Sequence, residues 1–598
     1  MDARLIVPLL ILTILFSYLF SFADDNILVL RPITVTATRI SNGDSSRVTR
    51  SMDSDFSIRL NNSLIDSRTR GPYGIQDDIS MRGAPFEQTL VLLNGARMND
   101  PQTGHFNTDI PLTRLDIDRV DIAYGPSSAY YGSSAMGGAV NILAKPPQDK
   151  VGVAAEFETG QYDLYSGALS LNMPLKDLKN KFSFEMSSCS GYRAETEFDK
   201  LILNSNSNIA FENGYIDFLF GYLKKDFGAD SFYSDMFDNE EEHTDTRLFK
   251  LDASLKKDDV KFNPVLYYRR HWDTFILDRN RRDWYKNIHT SYVYGGEFSM
   301  LMDSPLGGVS YGLDTAKEEI DSTSLGDHSR NRIAFFAEDK IDIEKLFIDL
   351  GARIDYYSAF GWQVNPNFGI GYFIYPDFKL RASAGRAFRA PSFTDLYYRS
   401  PANVGNADLK PERSWSFDVG ADTKFQDAMQ GSITYFLRFS DNVIDWTRKG
   451  GSNVWYAENI GEFDVYGFEV IFKFEPHKLI DTPNLKKIEI KYGYTEDFKK
   501  INVTSKYVLN YLMHNFNVEC EYETLFGVME VWELSLKKRA GDSHYILLNT
   551  EFYKDLDINK FRGRIYLRAE NIFDTDYTEN GSVPMPGIWI TAGLKIEF

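Results

Sequence analysis

From about residue 150 to its last residue, this chain alternates apolar and polar side chains with a period of two, and no other feature restricts its fold as strongly. Tyr165, Gly167, Leu169, Leu171 and Met173 interleave with Ser166, Ala168, Ser170 and Asn172. Phe182, Phe184 and Met186 interleave with Lys181, Ser183, Glu185 and Ser187. Ile433, Tyr435, Leu437 and Phe439 do so with Ser432, Thr434, Arg438 and Ser440, which leaves Phe436 as the one inward aromatic. In the final stretch Ile588, Ile590, Ala592, Leu594, Ile596 and Phe598 share one face, and Trp589, Thr591, Gly593, Lys595 and Glu597 the other. Such alternation marks strands whose two faces meet different surroundings. A soluble sandwich shows the same pattern. A last strand closed by a terminal phenylalanine favours a barrel, in which the final strand pairs with the first and no edge is exposed.

The N-terminus points to a membrane. Arg4 precedes the apolar run Leu5 to Phe20, and Ser21-Phe22-Ala23 offers small residues where a signal peptidase reads, so residues 1–23 are expected to be an export signal. The other reading is a permanent anchor, because the run approaches spanning length; Asp24-Asp25 directly after it favours cleavage. No later segment is apolar enough for a spanning helix. An exported chain that stays in a membrane must then cross it as a barrel, the other structure that satisfies all its backbone groups.

Lipid-facing apolar residues would alternate with lumen-facing polar ones, with aromatics gathered at both interfaces. That accounts for 15% aromatics, with 35 Tyr and 44 Phe, at a mean hydropathy of only -0.33. A large secreted propeller or solenoid has a similar composition. The roughly 450 residues of the alternating region allow about 22 strand-and-turn units of about 20 residues, since a spanning strand takes about 9–11. A lumen that wide needs a plug. The net charge of -19 speaks against nucleic acid. Cys189 and Cys520 form no CxxC pair, which argues against a zinc site and leaves one long-range disulfide open. HExxH, P-loop and GxSxG motifs are all missing, so no enzyme is expected.

Residues 24–148 have another texture. Leu90 to Leu93 runs into Asn94-Gly95, a hairpin signal whose turn positions need positive φ. Gly125-Pro126, Gly132 and Gly137-Gly138 mark turns before the strand Ala139 to Leu143, and Lys145-Pro146-Pro147 marks a boundary. The expected order is a signal at 1–23, a leading segment at 24–40, an α+β plug at 41–148 and an antiparallel barrel at 149–598. The fold class is all-β membrane, with the plug in the lumen.

Several motifs in this order resemble the TonB-dependent outer-membrane receptors, from near residue 33 to the last residue. Ile33-Thr34-Val35-Thr36-Ala37 resembles the TonB box. Ile79 to Gly83, Leu90 to Arg97 and Gly125 to Gly132 through Gly137 to Ile142 resemble the family's plug. Phe388-Arg389-Ala390-Pro391, Asn406 to Glu412, Glu570 to Asp574 and Phe598 resemble its barrel. Within the family the likeness is to the cobalamin-receptor-like and small siderophore receptor group. One position departs: Tyr124 precedes Gly125-Pro126 where the family carries an arginine that pins plug to barrel, and Asp121 stands where Glu is common. Arg82 is left as the expected lock.

The resemblance implies a bacterial outer-membrane importer energised by TonB, monomeric, surrounded by outer-membrane lipid, with cobalamin or another metal chelate as cargo and no required cofactor. Haem is a further cargo reading, although Ser392 to Gly405 lacks the histidine of haem receptors. A passive pore or adhesin is the reading from another class. A signal-transducing role is disfavoured because only Asp24 to Pro32 lies between Ala23 and the box. Asn99, Asp100, Gln102, His105 and Asn107 are the expected ligand contacts, against a purely structural turn using Asp100-Pro101 and Gly104. Asp230, Asp235, Asp238 and Asp245, in an acidic stretch with Glu240 to Glu242, could hold a loop calcium, against a solvated charged loop.

Overall fold

The computed structural model describes residues 46–48 and 63–598, except 234–236, 449, 451, 481, 483, 499–502 and 559–560. The export signal, the box at Ile33–Ala37 and Asp235 lie outside the described residues. Twenty-two antiparallel strands close into a barrel that begins with Gly152–Gly160 and ends with Trp589–Glu597. The last strand pairs with the first from Thr591↔Gly160 to Glu597↔Ala154. Phe598 and Val153 then exchange two backbone hydrogen bonds of 2.9 and 2.8 Å. Closure leaves no edge to aggregate.

The alternation read from the sequence becomes inside and outside. Ser166, Ser170, Lys181 and Glu185 are buried towards the lumen, whereas Leu169, Phe182 and Met186 stand exposed on the lipid side. One rim is joined by turns as short as Glu212-Asn213 and Asp258-Asp259; the other carries long connections such as those spanning 390–411 and 442–464. Short turns face the periplasm in such barrels and long loops face out. Strands reach 19 residues in Lys286–Ser304, well beyond the about 9–11 that cross a bilayer, so the wall continues above the membrane. Outside, the short strands Asn403–Val404, Trp455–Asn459, Ile444–Arg448 and Thr504–Ser505 make a separate sheet. Cys189 and Cys520 are free thiols, so the disulfide left open by the sequence does not form.

The lumen holds a second domain. Its mixed sheet is ordered Ser46–Val48, Ile117–Tyr124, Gly138–Ala144, Thr89–Leu93, Ala96–Arg97. Only Thr89–Leu93 and Gly138–Ala144 run parallel. Asn94 and Gly95 make the expected turn, at φ 47° and 80°. Val91, Leu93, Val120, Ile122, Val140 and Ile142 form its core, which also meets Leu219 and Leu248 of the barrel wall. The helical share of the expected α+β plug is small: the α-helix Ser128–Tyr131 and three 3-10 turns among the described residues.

Candidate functional site: the plug seam and the apical cavity

The seam between plug and wall is made largely of charge. Arg82 has a left-handed backbone (φ 51°) that aims its side chain at the barrel. It donates to both oxygens of Glu469 at 2.9 and 2.5 Å and to Asp418 at 2.9 Å. Its guanidinium also lies 4.6 Å from the Phe436 ring and 5.4 Å from the Tyr124 ring. The inward aromatic singled out in the sequence therefore flanks this plug-to-wall contact, and Tyr124 adds a second ring on the position where the resemblance led to an arginine. A Cβ on Gly125 would stand 2.8 Å from an Asp418 oxygen, so glycine is needed to admit that carboxylate.

Further buried clasps surround the plug. Asp66 receives two bonds of 2.7 Å from Arg539, which also reaches Glu579 at 3.0 Å. Asp100 meets Arg269 at 2.5 Å, Asp109 meets Lys225 at 2.6 Å and Asp116 meets Lys181 at 2.6 Å. Arg114 meets Glu156 at 3.2 Å. Burial opposes ionisation of Asp66, but Arg539 and Arg68 outweigh it and hold the carboxyl at about 2. Sequence reading missed these wall partners. Their signal was present, since Lys225, Arg269 and Arg539 are cations at lumen-facing positions of their strands.

At the loop-bearing rim a cavity of about 170 Å³ lies between the plug apex, the upper wall and the loops. The plug contributes Phe86, Glu87, Gln102 and His105, the wall Glu242, Asp273 and Phe275, and the loops Tyr233, Trp446, Lys506 and Tyr507. His105 stacks on Phe86 at 4.7 Å, with Tyr507 and Tyr233 edge-on at 5.9 and 6.2 Å. Its Nδ1 bonds Asp78 at 2.9 Å, and Asp78 is also held by Arg70 at 2.9 Å. Burial lowers the His105 pKa, with Asp78 acting the other way.

An outer loop is tied directly to the apex. The Phe393 and Thr394 amides donate to the Pro101 and Gln102 carbonyls at 2.8 and 3.0 Å. Arg389 below that loop serves three carboxylates: Glu87 at 2.6 Å, Asp395 at 3.1 Å and Glu412 at 2.8 Å. One cation cannot offset three anions. Burial, with the charges of Asp395 and Glu412, pushes Glu87 up to about 8 despite Arg389.

Of the five expected ligand contacts, Gln102 and His105 line this cavity. The other three are engaged in holding the loop. Asn99 donates to the Thr89 carbonyl at 3.0 Å and accepts from the Val91 amide at 2.8 Å. Asp100 accepts from Arg269 and Ser291, and Asn107 accepts from the Asp100 amide at 2.9 Å. Two of the residues expected to hold calcium are paired with arginines. Asp230 is paired with Arg193, and Asp245 lies between Arg247 at 3.1 Å and Arg270 at 2.8 Å, while Asp238 is exposed. Among the described residues no group of three or more His, Cys, Asp or Glu is placed to hold a metal.

A wide closed barrel, filled by a separate domain that is clasped to its wall beneath an outward-facing cavity, defines a gated outer-membrane receptor. The chain belongs to the TonB-dependent receptors: residues 156–582 match the family model described as TonB dependent receptor-like, beta-barrel, and residues 30–139 match the TonB-dependent Receptor Plug Domain. The family consists of receptors and transporters rather than enzymes. The vitamin B12 transporter BtuB of Photobacterium profundum is 24% identical over 551 residues, covering 88% of this chain and 87% of its own. The iron-regulated outer membrane virulence protein of Vibrio cholerae is 24% identical over 595 residues, with the same coverage of 88% and 87%. Among solved structures, the siderophore receptor PirA of Acinetobacter baumannii superposes with a TM-score of 0.75 at 16% identity, over 92% of this chain and 96% of that one. The FrpB iron transporter of Neisseria meningitidis gives 0.75 at 14%, over 91% and 96%.

Proposed function

We propose that this receptor imports a scarce metal-bearing ligand, a cobalamin or a ferric siderophore, across the outer membrane with energy delivered by TonB. The observation that carries this reading is the filled lumen, in which buried ion pairs fasten the plug on several sides. Removing one partner from such a pair costs about 3–5 kcal/mol. Passage through this barrel therefore requires work, and the outer membrane has no ATP to supply it. The filled lumen also counts against a passive pore or an adhesin. The names of the relatives support the cargo class: vitamin B12 for one and siderophores for another.

Ile33 to Ala37 is the handle in this proposal. Its β-branched, uncharged run suits addition as an edge strand to a partner sheet, through main-chain hydrogen bonds. Val35→Pro removes an amide and blocks that pairing. The expected result is loss of TonB-dependent uptake of radiolabelled cobalamin or ferric chelate, with equilibrium binding at the cell surface unchanged. Equal uptake by the variant refutes the handle.

A further inference from the structure

Three of the outer connections are fastened to one another before they meet the plug. Residues 390–411 supply the strand Asn403–Val404, residues 442–464 supply Trp455–Asn459 and Ile444–Arg448, and residues 503–511 supply Thr504–Ser505. The four strands form one sheet in that order. It has a small core of its own, with Leu409, Ile444, Trp446 and Ala457 buried and Leu396, Tyr398 and Tyr507 packed against them. Each connection contributes to that core, and segments that share a sheet and a core open together rather than singly.

This body roofs the apical cavity. The Phe393 and Thr394 amides hold the Pro101 and Gln102 carbonyls, and the Asn510 carbonyl accepts from Arg68 of the plug. The Tyr507 ring stands edge-on to Phe86 at 5.3 Å. The roofed volume of about 170 Å³ is below the roughly 300–1,000 Å³ that encloses a drug-sized ligand, so a metal chelate enters only once the roof has opened.

One side chain ties the third connection to the other two. Asp445 is 2% exposed. One of its carboxylate oxygens accepts from the Trp446 amide at 2.7 Å and the Tyr507 amide at 3.2 Å; the other accepts from the Val508 amide at 3.1 Å and the Ser505 hydroxyl. Three of these four donors belong to residues 505–508. The ladder beside them is short, Thr447↔Ser505 and Arg448↔Thr504. Burial raises the carboxyl to about 6 against these donors, so it is ionised at neutral pH and accepts from all four.

We propose that Asp445 is the positioning residue of a cap built from three outer connections: it holds Tyr507 in the roof and so sets how readily the cavity opens to the outside. This rests on the import reading above only in taking the cavity as the cargo's way in. Without the carboxylate, residues 505–508 lose their acceptors and Tyr507 swings out, while the rest of the cap stays down.

The test is the rate at which a thiol in the cavity of the purified full chain reacts with reagents of two sizes. Thr103→Cys places that thiol on the plug side of the cavity, and Cys189→Ser with Cys520→Ser removes the chain's own thiols. The small reagent is a methanethiosulfonate; the large one is a maleimide on a polyethylene glycol chain. Asp445→Asn is expected to raise the large reagent's rate about ten- to a hundredfold, the worth of hydrogen bonds to a charged group, and to change the small reagent's rate little. Amide exchange is expected to quicken at Tyr507 and Val508 and to stay as it was at Trp455 to Asn459. Heat-modifiable electrophoretic migration checks that the barrel is folded; should Asp445→Asn fail that check, Ser505→Ala takes its place with a smaller rise expected. Unchanged rates for the large reagent overturn the proposal. So does exchange that quickens equally throughout Trp455 to Asn459, because Asp445 is then a member of the sheet and positions nothing in particular. Neither cargo nor TonB takes part in this measurement, so unchanged rates remove the cap and leave the import reading, whereas TonB-independent uptake by the unaltered chain removes the import reading and leaves the cap.

Discussion

Arg82→Met removes the one guanidinium that joins the plug to both Asp418 and Glu469. The structure assigns it three charge-assisted bonds of 2.5 to 2.9 Å, and both carboxylates are buried, so the variant leaves two anions without their cation. Breaking a buried pair from one side costs about 3–5 kcal/mol, part of it the desolvation of the stranded partners. If that cost falls on plug seating, the opened state becomes roughly 10²- to 4 × 10³-fold more populated. Amide hydrogen exchange of Ile79 to Ala84, at the lock, reads this directly, and strands in the distant wall act as the internal reference. Replacing Asp418 and Glu469 by Asn and Gln in the same variant is expected to recover part of the protection, because a neutral cluster no longer contains buried anions. Unchanged exchange in Arg82→Met, with the barrel intact, would refute the idea that this contact holds the plug.

Three further outcomes follow from the same geometry. Asp66 has its carboxyl depressed to about 2, so its stabilising contribution is present above the ordinary value of 3.8 and fades as pH falls from there towards 2. Asp66→Asn should thus lower the plug's unfolding free energy by about 2 kcal/mol near neutrality and by little at pH 2, as read by denaturant melts. Glu87 is raised to about 8, so its protonated form favours the folded state at low pH and that advantage is lost between about 4.5 and 8; Glu87→Gln should flatten plug stability across this window in a pH series of exchange rates. Asn99→Ala strands a backbone amide and a carbonyl and should cost about 1–3 kcal/mol of plug stability in denaturant melts.

The sequence exposed the barrel because period two is a local property repeated on every strand: it separates Phe182 from Ser183 without knowledge of any partner. The same rule turned Phe436 inwards and set Trp589 and Ile590 on opposite faces. It cannot specify height along the lumen or which plug residue a wall cation meets. Asp66 and Arg539 are 473 positions apart, and Arg82 and Glu469 are 387 apart. Nor does chain closeness name the partners in the acidic stretch, where Asp230 meets Arg193 from another loop and Asp245 meets Arg270 from the next strand. It misled in the apical loop, where polar side chains next to one another point alternately to the cavity and to their own backbone.

The two backbone bonds from the Phe393 and Thr394 amides to the Pro101 and Gln102 carbonyls make the plug apex a structural member of the outer loop. A downward pull on the plug has to part these bonds before the apex can descend. Gln102 and His105 belong to that apex and line the cavity, so under the proposed import the displacement that opens a path also withdraws one wall of the cavity. Grip and passage then exclude one another.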